Sequence, residues 1–215
     1  RQLLGFARKQ TIAPRLLDPN QAVDGMLKTL RRMIGEDIEL AWRPQAGVRA
    51  IKVDPSQLDQ ILTNLCVNAR DAIDGPGRIS IETGSAAFGA ADCAARPGHQ
   101  VGSFSVISVC DDGSGIDEES LARLLEPLLT TNAPRKGTGL GLATVHGIVQ
   151  QNLGFIRVES EADKGTTFRV YLPAHEGLPE PLEQAPAQAA PGGPELLLVV
   201  EDQPELKRVV SKMLR

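Results

Sequence analysis

Aromatic residues are scarce in this chain: one Trp, one Tyr and five Phe make up 3% of 215 residues. Cysteine is scarcer still. Cys66, Cys93 and Cys110 are an odd trio without metal-ligand spacing, and they read as reduced, packed residues of a cytoplasmic domain. Basic charge is not in excess, since 23 Lys and Arg face 27 Asp and Glu for a net charge of −4. No basic face emerges along the chain, which argues against a nucleic-acid surface. No apolar run approaches the ~18 residues of a membrane span, and no signal peptide opens the chain. Membrane contact by this segment is therefore not expected. The first residue is Arg rather than Met, so a longer parent is expected, and that parent could carry a membrane anchor.

What is present follows a regular grammar. Residues 1–10 look like the last turns of a helix. Asp18-Pro19 predicts a capped helix, with Val23, Met26, Leu27, Leu30 and Ile34 on its apolar face and Gly35 at its end. "IELAWR" and "VRAIKVD" are predicted as a hairpin of strands. Asp54-Pro55 opens a second helix with Leu58, Leu62, Leu65, Ala69 and Ala72 as its buried stripe. "RISIETG" and "SFSVISVC" are predicted strands joined by an Ala/Gly-rich loop over 85–102. A short helix at "DEESLARLL" and a polar loop over 126–139 precede a third core helix, 140–151. "FIRVESE" and "TFRVYLP" form a closing hairpin. Residues 174–194, with five prolines, read as a semi-stiff linker, and 195–215 as one apolar strand and one helix.

Four stretches carry chemistry. Asn64, Asn68 and Asp71 lie four and three residues apart, on one helical face. Such a face can hold a hydrated cation of the Mg²⁺ type, which takes few protein oxygens; read alone, a solvated polar surface is the plainer reading. "CDDGSGID" sets Asp111, Asp112, Gly113 and Gly115 directly after a strand. A carboxylate there can accept an exocyclic amino group, and an ordinary Asp-Gly loop is the plainer reading. "RKGTGLGL" places Arg135 and Lys136 before Gly137, Gly139 and Gly141 at a helix start, a favourable setting for polyphosphate or simply a hinge. It is not a Walker loop, because its Lys precedes the glycines. Nor is it a dinucleotide turn, because Leu142 stands where the third glycine belongs. "KGTTF" reads alone as a hairpin turn.

Each signal is weak alone, and their order makes the case. Over about residues 12–173 the chain resembles the ATP-binding catalytic domain of sensor histidine kinases, of the Bergerat superfamily shared with gyrase, MutL-type and heat-shock ATPases. "NLCVNARDAI" resembles its N box, "DDGSGI" its G1 box, "LLEPLLTT" its F box, "GTGLGLATVHGIV" its G2 box and "GTTF" its last glycine box. The resemblance implies an α+β, two-layer α/β sandwich: a mixed, mainly antiparallel sheet packed on three helices. It implies ATP and Mg²⁺ as cofactors. Asn68 is implied to offer oxygen to Mg²⁺, with Asp71 on the same helix face. Asn64 stands where hydrolysing relatives carry a glutamate, and a neutral amide is a poor base for water. Asp111 is implied to read the adenine amino group, helped by Thr166 through water, with Gly113, Gly115 and Ile116 around the base. Arg135, Lys136, Gly137, Thr138, Gly139, Leu140, Gly141 and Leu142 are implied to form the lid over the phosphates and the start of the helix behind it.

Residues 1–11 resemble the end of a dimerisation and phosphoacceptor helix, and 195–215 the start of a receiver domain, with Glu201 and Asp202 as its acidic pair. Together these imply a hybrid kinase, a homodimeric parent, and a phosphoacceptor domain and a receiver or response regulator as partners. Two features depart from the pattern. Leu125, Leu128 and Leu129 replace the usual F-box phenylalanines, losing ring area, and Asn132 replaces a lysine. His99, His146 and His175 all lie outside a phosphoacceptor context, so this chain is not expected to phosphorylate itself. A degenerate ATP-binding scaffold is the alternative reading; a hydrolysing ATPase is disfavoured by Asn64.

Overall fold

A computed structural model describes residues 12–90, 92, 100–117, 120–121 and 140–179. Several expectations lie outside these residues: the helix end at 1–10, most of the 117–125 helix, the F-box leucines, the 126–139 loop, and everything from 180 onward.

Three helices and seven strands that are described from end to end occur in the order β1 (Arg15–Leu17), α1 (Pro19–Ile34), β2 (Ile38–Arg43), β3 (Ala50–Val53), α2 (Pro55–Ala72), β4 (Gly77–Phe88), β5 (Gly102–Asp111), α3 (Leu140–Gln151), β6 (Phe155–Glu161) and β7 (Gly165–His175). The two predicted caps form as the sequence requires. Asp18 accepts the Asn20 N–H at 2.8 Å, and Asp54 accepts the Ser56 N–H at 2.8 Å, each with proline at the first helical position. Asp54 also accepts the Ala13 N–H at 2.7 Å, tying the entering chain to the start of α2. Burial opposes ionisation of its carboxyl, but these donors outweigh it and hold Asp54 below the usual carboxylate range.

The strands form one sheet in the order β1-β3-β7-β5-β4-β2, with β6 pairing on β7 beside β3. All pairings are antiparallel except β2 with β4. The mixed, mainly antiparallel sheet on helices is thus as expected. The hairpin expected of "IELAWR" and "VRAIKVD" is not formed: β2 and β3 lie on opposite sides of β4, β5 and β7. Their connection is pinned across the end of the sheet, where Gln45 N–H donates to Thr83 Oγ1 at 3.0 Å and Ser105 Oγ donates to the Arg49 carbonyl at 2.7 Å. The loop expected over 85–102 is also shorter, because 85–88 continue β4 and pair with 102–105. At the other end of the chain, β7 runs through His175, two residues into the stretch read as linker.

One face of the sheet carries the core. Strand alternation aligns Ile81, Val109, Phe168 and Val158 in one cross-strand row, and Thr83, Ile107, Val170 and Ile156 in the next. Against these pack Leu58, Ile61, Leu62 and Leu65 of α2 and Val145, Ile148 and Val149 of α3. Each such side chain contributes about 1.5–3 kcal/mol on burial. Ile61 and Cys66 join the predicted α2 stripe, while Ala72 is only half-buried. Burial pushes the Cys66 thiol up to about 12, so it is an inert packing group. Helix α3 runs antiparallel to α2. Gln57 donates to Gln151 Oε1 at 3.0 Å and accepts from Asn152 Nδ2 at 3.0 Å, which anchors the C-terminal end of α3.

Candidate functional site

The row beyond Ile81–Val109–Phe168–Val158 breaks the apolar pattern. It reads Ile79, Asp111, Thr166, Ser160, one residue from each of β4, β5, β7 and β6. Asp111 and Thr166 are each 4% exposed, so a polar rung closes the core at this edge. Asp111 Oδ1 accepts the Gly113 N–H at 3.0 Å and the Thr166 N–H at 3.3 Å. Burial is the largest influence on its carboxyl and pushes it above the usual range, against those two donors; Asp112 adds repulsion in the same direction as burial. Asp111 Oδ2 receives no donor among the described residues. No fully buried side-chain polar atom there lacks a partner, so Oδ2 reaches the surface. An oxygen so placed can accept a hydrogen bond from an amino group.

The loop after Asp111 is clamped from three sides. Ser114 N–H donates to the Ala72 carbonyl at 2.9 Å, at the end of α2. The Asp163 N–H in the β6–β7 turn donates to the Ser114 carbonyl at 2.8 Å, and the Ile116 N–H donates to Ser160 Oγ at 2.8 Å. Asp112 caps the start of β4 by accepting the Arg78 N–H at 2.8 Å. Gly113 and Gly115, implied to lie around the base, each have protein backbone where a side chain would start. A Cβ on Gly113 would lie 2.5 Å from the Ala72 carbonyl oxygen. One on Gly115, whose φ is +65°, would overlap the Glu161 carbonyl. Gly165, at φ +91°, meets the Asp111 carbonyl in the same way. The fold itself therefore demands glycine at all three positions.

Asn64 and Asn68 are half-buried on α2, and Asp71 is exposed and paired with Arg70. Arg70 in turn donates to the Met33 carbonyl at 3.1 Å, joining this end of α2 to α1. The Asn64 Nδ2 donates to the Gly141 carbonyl at 3.2 Å, tying α2 to the first turn of α3. Asn68 makes no hydrogen bond among the described residues, so its amide oxygen stays available. One neutral hard oxygen suits Mg²⁺, which keeps its waters and takes further oxygens from phosphates. Ile116 and Leu142 are half-buried and pack on the core. Arg135, Lys136, Gly137, Thr138 and Gly139, and the side chain of Leu140, lie outside the described residues.

Ser160 is the residue that sequence reasoning missed. In "VESE" it reads as one polar residue among glutamates. The signal was available in hairpin register: with the turn at 162–164, Ser160 falls opposite Thr166.

The family described as "Histidine kinase-, DNA gyrase B-, and HSP90-like ATPase" matches residues 53–176. Sensor kinase CckA of Brucella abortus (strain 2308) is 41% identical over 175 residues, which cover 80% of this chain and 18% of that protein. Sensor histidine kinase ZraS of Escherichia coli (strain K12) is 33% identical over 175 residues, covering 81% of this chain and 34% of that protein. The chain thus spans about a fifth to a third of the length of these curated relatives. Among solved structures, full-length ShkA in complex with AMPPNP is 25% identical with a TM-score of 0.58, over 79% of this chain and 33% of that one. The mycobacterial sensor histidine kinase MprB shares the fold at 22% identity and a TM-score of 0.58, over 75% of this chain and 98% of that one.

Proposed function

The chain belongs to the histidine kinase-, DNA gyrase B- and HSP90-like ATPase family, and on that premise we propose that it is the catalytic part of a hybrid sensor histidine kinase. In this reading it binds ATP with Mg²⁺ and transfers the γ-phosphoryl group to a histidine of a phosphoacceptor domain in a longer, homodimeric parent. A receiver domain or response regulator takes the group onward.

The observation that carries the reading is the polar rung at the open edge of the core. Asp111 keeps one carboxylate oxygen free of donors among the described residues, and Thr166 sits beside it. An adenine amino group offers N–H donors to such acceptors. Asn68, on the helix whose end abuts the Asp111 loop, would hold Mg²⁺ through its amide oxygen. When bound, the ion neutralises charge on the phosphates. Arg135 and Lys136 are proposed to add positive charge there, with Gly137–Gly141 closing over the nucleotide.

Asn64 supports transfer over hydrolysis. Its amide has no pair able to take a proton from water, and its nitrogen is already engaged with the Gly141 carbonyl. This residue then acts by fixing the base of the lid helix.

The test mixes the chain with γ-labelled ATP, Mg²⁺ and a separate phosphoacceptor-domain protein carrying the upstream helices. Label on the acceptor histidine is expected, with little phosphate release in its absence. Nucleotide binding without transfer would overturn the kinase reading, and steady release of phosphate without acceptor would indicate an ATPase.

A further inference from the structure

A serine hydroxyl has one proton to give and two lone pairs to receive. At Ser160 all three are accounted for. The Ile116 N–H donates to Oγ at 2.8 Å, filling one lone pair. The Gly165 carbonyl, which can only accept, lies 3.0 Å away and takes the proton. One lone pair remains, and Thr166 Oγ1 lies 2.9 Å from it. Thr166 must therefore be the donor in that contact. Its single proton is directed back into the protein, and its oxygen meets any ligand with lone pairs alone.

Asp111, the neighbour of Thr166 across the strands, also presents only an acceptor, Oδ2. The ligand-facing side of the rung is thus uniform in polarity, and Ser160 is what makes it so. We propose that Ser160 is a positioning residue that fixes the Thr166 hydroxyl as an acceptor, so that the pocket selects a purine bearing an amino group over one bearing an oxo group at the same position. The selection acts through direct contact to the base, since a bridging water that donates to Thr166 keeps a second proton and its lone pairs and can face either group. This inference rests on the proposal that Asp111 and Thr166 read the base.

Removing the Ser160 hydroxyl frees the Thr166 proton to turn toward the ligand and donate to an oxo group. Calorimetric affinities for ATP and inosine triphosphate, on the chain as it stands and on variants, test this. The unaltered chain should prefer ATP by about 100-fold, since sites built on hydrogen bonds discriminate strongly. Ser160→Ala should cut that ratio by about tenfold, and Ser160→Thr, which keeps the hydroxyl, should retain it. A role confined to clamping the loop would weaken both nucleotides by the same factor, and an unchanged ratio in Ser160→Ala overturns the proposal. Should that variant fail to fold, Thr166→Val removes the oriented acceptor itself and must lower the ratio too; an unchanged ratio there overturns it equally. Asp111→Asn separates the two levels. If ATP affinity is unaffected by it, the base-reading proposal fails and this one with it. If ATP binding falls but the Ser160→Ala ratio holds, only the present inference fails.

Discussion

The core face of the sheet turns polar at both ends, and the two ends follow different hydrogen-bond arithmetic. At one end Thr83 Oγ1 donates to Asn20 Oδ1 at 2.6 Å and accepts the Gln45 N–H, while Asn20 Nδ2 donates to the Gln45 carbonyl at 2.9 Å. Ser105, 1% exposed, donates to the Arg49 carbonyl. There the donors and acceptors meet each other within the protein. At the other end Asp111, Thr166 and Ser160 satisfy their donors and leave acceptors over. Burial alone does not tell a site from a structural joint, since Thr83 and Thr166 are 7% and 4% exposed. The surplus of one polarity does. A matched network seals the crossing of the β2–β3 connection; the unmatched one is what supports the proposed site at the other end.

The strongest way to break the open end is Gly165→Ala. A methyl there meets the Asp111 carbonyl at a φ that L-residues rarely adopt, so a stability loss of about 3 kcal/mol is expected in urea unfolding. An unchanged midpoint would mean that the rung tolerates displacement.

Next comes the closed end. Thr83→Val strands the Gln45 N–H and the Asn20 oxygen, and should cost about 2 kcal/mol. Its ATP affinity should be unchanged. Lost affinity at full stability would erase the distinction between the ends.

The smallest effect has the opposite sign. Burial raises the Asp111 carboxyl above the usual range, so the folded chain holds that proton to higher pH than the unfolded chain does. The associated stability is full below the usual carboxylate range and is lost as pH rises through the raised value. Asp111→Asn abolishes this titration. Its melting temperature relative to the unaltered chain should climb across that window and then level off. A difference that falls or stays flat with pH would show that the carboxylate sits comfortably ionised.

Much of this was legible in sequence because it is local. Asp18-Pro19 and Asp54-Pro55 announce helix starts through contacts two residues away. The 3.6-residue spacing of α1 needs no knowledge of its partner. Asp111 stood out because two aspartates and two glycines follow a strand. What was not legible depends on distant partners. Nothing near "IELAWR" says that β2 will lie parallel to β4, because only the assembled sheet offers that edge. Continuation of β4 through Phe88 likewise depends on 102–105 arriving opposite. Gly113 and Gly115 stood out through their place after Asp111, but the backbone that faces them, at Ala72 and Glu161, was not legible. Ser160 was hidden because its meaning lies across two strands.

The placement of β7 bears on how the chain is made. The last of the described strands in sequence sits mid-sheet, bonded to β3, β5 and β6. During synthesis β3, β5 and β6 lack their shared neighbour until it emerges, and its long-range pairings with β3 and β5 slow folding. The rung that carries Asp111 has no Thr166 and no oriented hydroxyl until that strand arrives. On the proposed reading, ligand binding there is therefore acquired late, and a nascent chain ending before residue 165 would carry Asn68 and Asp111 without Thr166.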